Sequence, residues 1–179
     1  TLGRLAFSAK KIVYTVHGFD SIRIAYRKFL LLEKYLQRCC NAIVAVSSYD
    51  KNNLREEGIT RHVSIVYNGI YSPKSLNQMP FHLLGEFQAK VLCIARLSPP
   101  KRCDLFLEVA ALLPQFAFIW IGNQSEIKTN VPKNVFFMGS LSNAGAYNEY
   151  ADLFMLPSDY EGLPMVIIEA CCGTSAPET

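Results

Sequence analysis

Glu161 and Glu169 are separated by seven residues in the run Glu161-Gly162-Leu163-Pro164-Met165-Val166-Ile167-Ile168-Glu169. Pro164 suits a first helical position, because its φ is already set and its missing N–H is not needed there. The spacing therefore places one carboxylate in a Gly-containing turn and the other one to two turns inside a helix, with both facing one cleft. A helix start presents free N–H groups and the positive end of its dipole to a phosphate. Glu161 and Glu169 would accept hydrogen bonds from hydroxyls of whatever carries that phosphate. A surface turn with two solvated glutamates fits the same residues.

Arg96 and Lys101 make a second chemically suggestive pair. Arg96 ends an apolar run and Lys101 stands five residues on, after Ser98-Pro99-Pro100, where a helix begins. A strand end followed by a helix start lets two cations converge on a diphosphate, Arg through its planar fork and Lys as a point charge. A loop that merely holds three cations, Arg102 being the third, is the plain alternative. His17 follows another apolar run, and a lone His in that position is ordinarily a structural hydrogen-bonder.

These residues need strand ends to carry them. The runs 11–16, 42–46 and 63–66 are short, apolar and β-branched, with helical spacing over 21–40, and a Ser47-Ser48 cap opens a short polar helix through Glu57 that stops at Gly58. In the 21–40 helix Ile22, Tyr26, Phe29, Leu30, Tyr35 and Leu36 make the expected apolar face. Residues 71–86 lose periodicity and hold two prolines, which marks a boundary. A second alternation follows: strands at 90–95, 116–121, 134–139 and a buried one at 152–157, with helices at 102–113, 143–150 and from Pro164. Alternating strands and helices imply parallel sheets, so the expected fold is α/β with two Rossmann-like halves. The expected domains are 1–70 and 89–179, joined by a linker at 71–88. Ligands of open α/β sheets bind at the carboxyl ends of the strands.

With 179 residues, 50% hydrophobic and 18% charged, the chain is no disordered segment. No apolar run approaches the ~20 residues of a membrane helix. The six cysteines lack a Cys-x-x-Cys pair and fall mostly in apolar patterns, which favours reduced, buried thiols and a cytoplasmic location. His17, His62 and His82 lack metal-ligand spacing, so no metal is expected. Net charge is +3, but residues 1–38 carry eight Lys/Arg against two acids. That basic end suggests peripheral contact with an anionic membrane surface, against a solvated helix face as the alternative. Nucleic acid is not an expected partner.

The Glu161 to Glu169 spacing resembles the EX7E signature of retaining glycosyltransferases of the GT-B fold, family 4, and Arg-Leu-x-x-x-Lys at 96–101 resembles that family's diphosphate-binding segment. The resemblance implies sugar transfer, with retention and without a metal or other cofactor, from a nucleotide-diphosphate sugar to a glycan or lipid-linked acceptor. It implies that Glu161 positions sugar hydroxyls, Glu169 holds the ribose, and Arg96 and Lys101 contact the leaving diphosphate. Backbone donors would come from Leu163, Met165 and Val166, and the loop at Gly139 would pass the base. His17-Gly18 is similar to the loop bordering the transferred sugar, and Asn68-Gly69 to the lead into the linker, although Asn-Gly is also a common turn.

Departures from the family pattern are Ala95, Arg102 and Asn123, each where Gly is common, and Pro164, which withdraws an N–H from the phosphate. Residues 175–179 do not continue the pattern, and the opening residues read as mid-protein, so the chain is expected to be part of a longer enzyme and inactive alone. A nucleotide-sugar epimerase of the same architecture and a non-catalytic binding module are the rival readings, since fold alone does not choose.

Overall fold

After Lys90, β4 (Lys90–Ile94) is apolar, as is all of β5 (Ala117–Ile121), because both faces of their sheet are covered. The computed structural model describes residues 3–6, 11–70, 87–123 and 130–173, in two units: Thr1–Gly69 with Tyr160–Pro164, and Ile70–Asp159 with Met165–Thr179.

The first unit opens with the four-residue α1 (Gly3–Ala6), and its sheet runs β1 (Val13–Val16), β2 (Ala42–Ala45), β3 (Val63–Ile65), all parallel. Val16, Ile43 and Ala45 form its core with Phe19, Leu30, Leu54 and Ile59. α3 (Ser48–Glu56) starts as its sequence suggests: the Ser47 hydroxyl accepts from the Asp50 N–H, satisfying an orphan donor of the first turn. Gly58, at φ 79°, ends it.

The long helix expected over 21–40 is instead broken. A π-turn (Ser21–Ala25) and a 3-10 turn (Arg27–Phe29) precede α2 (Leu30–Leu36), and a further 3-10 turn (Gln37–Cys39) follows. The break falls at Tyr26, whose φ of −123° and ψ of 44° leave the helical region. Leu30 and Leu36 are buried as expected, and Glu33 lies between them, paired with buried Arg4. Tyr26, Phe29 and Tyr35, assigned to the apolar face, are 56%, 47% and 61% exposed. An ion pair has taken the inward position that a periodicity argument reserves for apolar residues.

The second sheet has the order β6-β5-β4-β7, with β6 at Val135–Phe137 and β7 at Leu153–Phe154, all parallel. Alternate residues of β4 and β5 serve opposite faces. Val91, Cys93, Phe118 and Trp120 meet Phe106 and Ala110 of α4 (Cys103–Leu112) on one side. Leu92, Ile94, Ile119 and Ile121 meet Tyr147, Tyr150 and Val166 on the other, from the 3-10 segment Ala144–Tyr150 and α5 (Met165–Gly173). The Phe106 ring stands edge-on to Phe118 and Trp120, with centroids 5.3 and 5.1 Å away. β7 is not the buried strand expected over 152–157: it is an edge, and Leu153 is 57% exposed.

All six cysteines are free, but only Cys40 and Cys93 are buried, while Cys171 and Cys172 are exposed. Most of the expected linker, residues 71–86, and the divergent end 175–179 lie outside the described residues.

Candidate functional site

At the carboxyl edge of the second sheet Ala95 continues the ladder, its N–H donating to Ile121 O at 2.9 Å, and exposed Arg96 follows. Ala95 does not have the positive φ that would call for the family's glycine. Its carbonyl accepts from the Trp120 indole N–H at 2.8 Å. Gly122, at φ 112°, sits so close that a Cβ would stand 2.6 Å from the same carbonyl oxygen. Here glycine is required both by conformation and by space.

Lys101 was expected where the helix begins. It is instead the last residue of the 3-10 turn Pro99–Lys101, and Arg102 separates it from α4. Arg102 is left-handed, with φ 49° and ψ 52°. Its guanidinium reaches Asp104 Oδ2 and Asp159 Oδ1, both at 3.0 Å, while the Asp159 N–H donates to Pro100 O at 2.9 Å. Hydrogen bonds to Asp104 and then Asp159 raise the Arg102 pKa further, and Arg102 holds the Asp104 carboxyl below the usual range. The segment leaving β7 thus lies beside the turn that carries Lys101.

Gly139 has φ 72° and ends the segment after β6. Its N–H donates to Asn123 Oδ1 at 2.9 Å and its carbonyl accepts from Gly122 N–H at 2.7 Å. Asn123, another departure from glycine, therefore ties the ends of β5 and β6 together, and a base contact at Gly139 has only the remaining carbonyl lone pair and Cα face to use. Gln124 lies outside the described residues.

α5 starts at Met165, directly after Pro164. Met165 is exposed, whereas Val166 packs into the core beside Leu92 and Ile94. Half-buried Glu169 lies against Gly145, where a Cβ would meet Glu169 Oε2 at 2.9 Å. Gly145 thereby makes room for the carboxylate. Of the expected donor residues, the second unit brings Arg96, Lys101, Gly139, Met165, Val166 and Glu169 onto segments following parallel strands.

Glu161 and Leu163 belong to the first unit, in the turn Tyr160–Pro164. Their neighbour Gly162 is pressed against the loop that bears exposed His17: a Cβ on Gly162 would stand 2.6 Å from Gly18 N and 2.8 Å from Asp50 Oδ2. Gly18 itself has φ 87°. Buried Asp50 accepts from Phe19 N–H at 2.8 Å and from the Ser47 hydroxyl at 3.1 Å. Asn68 Nδ2 donates to Leu163 O at 2.9 Å, so this asparagine holds the turn, and Gly69 lacks the positive φ of a tight Asn-Gly turn. The structure brings His17-Gly18 and Glu161-Gly162 together, backbone against backbone.

Sequence reasoning missed Asp50, Gly145 and Asp159. Only Asp50 carried a signal, a Ser-x-x-Asp cap at 47–50, and that signal explains its backbone partner and not its contact with the turn.

Residues 1–72 match the model described as Glycosyltransferase Family 4, and residues 88–174 match the model described as Glycosyl transferases group 1. The chain belongs to the family 4, group 1 glycosyltransferases. WbnH of Escherichia coli, an O-antigen biosynthesis glycosyltransferase, is 33% identical over 169 residues, covering 89% of this chain and 48% of WbnH. The E. coli UDP-Gal:alpha-D-GlcNAc-diphosphoundecaprenol alpha-1,3-galactosyltransferase is 25% identical over 206 residues, covering 94% and 52%. Anabaena HepE, solved with UDP-glucose, superposes with TM-score 0.79 at 20% identity, covering 96% of this chain and 54% of HepE. Such neighbours are GT-B glycosyltransferases, which establishes the fold. This glycosyltransferase chain spans about half the length of the relatives it matches.

Proposed function

We propose that the glycosyltransferase to which this chain belongs moves a hexose, with retention, from a nucleotide-diphosphate sugar to a glycan or lipid-linked acceptor. The observation that carries this reading is the placement of Arg96, Lys101 and the start of α5 on segments that follow strands of one parallel sheet. The names of relatives support it: that of the E. coli galactosyltransferase carries a UDP-sugar donor and a diphosphoundecaprenol-linked acceptor. Membership in a family of transferases favours transfer over the epimerase reading.

In the second unit Arg96 and Lys101 neutralise the charge that grows on the departing diphosphate, and the first-turn N–H groups of α5 add dipole stabilisation. Two cations take the role a metal would otherwise fill, so binding is expected to survive a chelator. Glu169, with room made by Gly145, accepts from the ribose hydroxyls. In the first unit Glu161 positions sugar hydroxyls and His17 borders the transferred sugar, the roles their family resemblance implies.

A cytoplasmic location with peripheral membrane contact is part of the proposal. No helix among the described residues is long and apolar enough to cross a membrane. Exposed Ile24, Tyr26, Phe29, Leu31 and Tyr35 are interspersed with Arg27, Lys28 and Lys34, a pattern that suits an anionic interface. Equal sedimentation with anionic and neutral vesicles at low salt would remove the electrostatic part.

Calorimetric titration tests the donor site. A charge-assisted bond to a charged group contributes about 1.5–3 kcal/mol, so Lys101→Ala should weaken UDP at least ~tenfold and leave uridine unchanged. Glu169→Ala should weaken both. Intact UDP affinity in folded Lys101→Ala would overturn the assignment.

A further inference from the structure

Arg102 holds a left-handed conformation that L-residues with side chains seldom adopt, and such residues persist where their surroundings over-determine them. Its guanidinium supplies that determination. Nε donates to both oxygens of Asp104 at 3.1 Å, Nη2 lies 3.0 Å from Asp104 Oδ2, and Nη1 lies 3.0 Å from Asp159 Oδ1. The Asp159 N–H returns a bond to Pro100 O at 2.9 Å, closing a loop of contacts around the turn Pro99–Lys101. Asp159 is also the last residue of the second unit before the chain departs into Tyr160–Pro164.

We propose that Arg102 is a positioning residue of the donor site: with Asp159 it straps the loop after β4 to the segment after β7, and so sets where Lys101 is held. The proposal rests on the reading of this edge as a nucleotide-diphosphate site. An isolated exposed ion pair contributes little, but a planar fork engaged by two carboxylates and backed by a main-chain bond shares one ordering cost among several contacts. Asp104 and Asp159 both engage the Arg102 guanidinium, which fits a structural tie better than a phosphate ligand.

The sign of one substitution separates this role from direct phosphate contact. If Arg102 touched the phosphate, Asp159→Asn would release the guanidinium toward the ligand and tighten UDP binding. If Arg102 is a strap, Asp159→Asn and Arg102→Ala weaken UDP alike.

The experiment is calorimetric titration of the folded chain with UDP and with uridine, for wild type, Arg102→Ala, Arg102→Gly, Asp159→Asn and the double variant Arg102→Ala/Asp159→Asn. Each single variant should weaken UDP about three- to five-fold, the upper end for an exposed pair, and leave uridine unchanged. The double variant should be no weaker than either single one, as expected for partners in one interaction. Arg102→Gly relieves the left-handed backbone and should melt no lower than Arg102→Ala while losing the same UDP affinity, which a purely stabilising role would not produce. Tighter UDP binding by Asp159→Asn, additive losses in the double variant, or unchanged UDP affinity in Arg102→Ala would each overturn the strap. Wild type binding UDP no better than uridine would instead remove the donor-site reading beneath it, and the strap with it.

Discussion

Substitution of Gly162 by alanine tests how the turn Tyr160–Pro164 is seated, because two physical effects of opposite sign compete there. The φ of Gly162 lies outside the left-handed region, so alanine is compatible with the backbone. In open space it would stabilise by about 0.4–1 kcal/mol through the entropy of the unfolded chain. The space is not open: the new Cβ would stand 2.6 Å from Gly18 N, 2.8 Å from Asp50 Oδ2 and 2.9 Å from Gly18 Cα. Two of those atoms are backbone, and Asp50 is held at 0% exposure by Phe19 and Ser47. Neither neighbour can step aside as a flexible side chain would. Overpacking costs about 1–3 kcal/mol, and moving the turn loosens the Asn68 to Leu163 hydrogen bond, about 0.5–1.5 kcal/mol more. The net expectation is a loss of roughly 0.5–4 kcal/mol after the entropy gain is deducted. Amide exchange at residues 15–21 and 160–163 measures it. Gly69→Ala is the control, since its Cβ meets nothing within 4 Å and its φ is permissive, so it should be neutral or slightly stabilising. A Gly162→Ala variant exchanging as slowly as wild type would refute the close seat.

Phe106→Ala removes a fully buried ring that contacts Phe118 and Trp120, and should cost about 3–5 kcal/mol in denaturant unfolding followed by Trp120, the chain's single tryptophan. Cys171 and Cys172 should react with a thiol reagent at once, while Cys40 and Cys93 should react only on unfolding; prompt labelling of Cys93 would contradict its burial. Burial raises the Cys93 pKa, so the native state favours the neutral thiol. Unfolded thiols ionise near pH 8.5, so this contribution to stability is full below that pH and declines as pH rises above it, measurable from the pH dependence of unfolding in wild type against Cys93→Ala. The Asp104 pKa is lowered instead, so the Arg102 contact is complete above the ordinary carboxylate range and is lost as pH falls through the folded value, visible as a carboxyl titration by NMR that Arg102→Ala shifts upward.

Residues whose environment is dictated by their own neighbours in sequence were legible. The apolar runs of β4 and β5 announced two strands of a parallel sheet, and the Ser47-Ser48 cap and Gly58 stop bounded α3. The sites of Arg96 and Lys101 followed from strand-then-loop order, because every parallel strand ends at the same edge. The amphipathic reading of 21–40 failed for a physical reason: the inward stripe includes Glu33, made tolerable by Arg4 some thirty residues earlier.

Local periodicity and turn chemistry by themselves determined that this chain builds two parallel sheets and which residues stand at their strand ends, since those features depend on contacts only a few residues apart. Tertiary structure decided what holds the strand-end segments in place. Asp50 beneath Gly162, Asn68 on Leu163, Asn123 on Gly139, Glu169 against Gly145 and Arg102 on Asp159 each join segments 16 to 112 positions apart in the sequence. A side chain meets such a partner only after the strands have paired, because the direction of its bond is set by the finished backbone and not by its own stretch of chain.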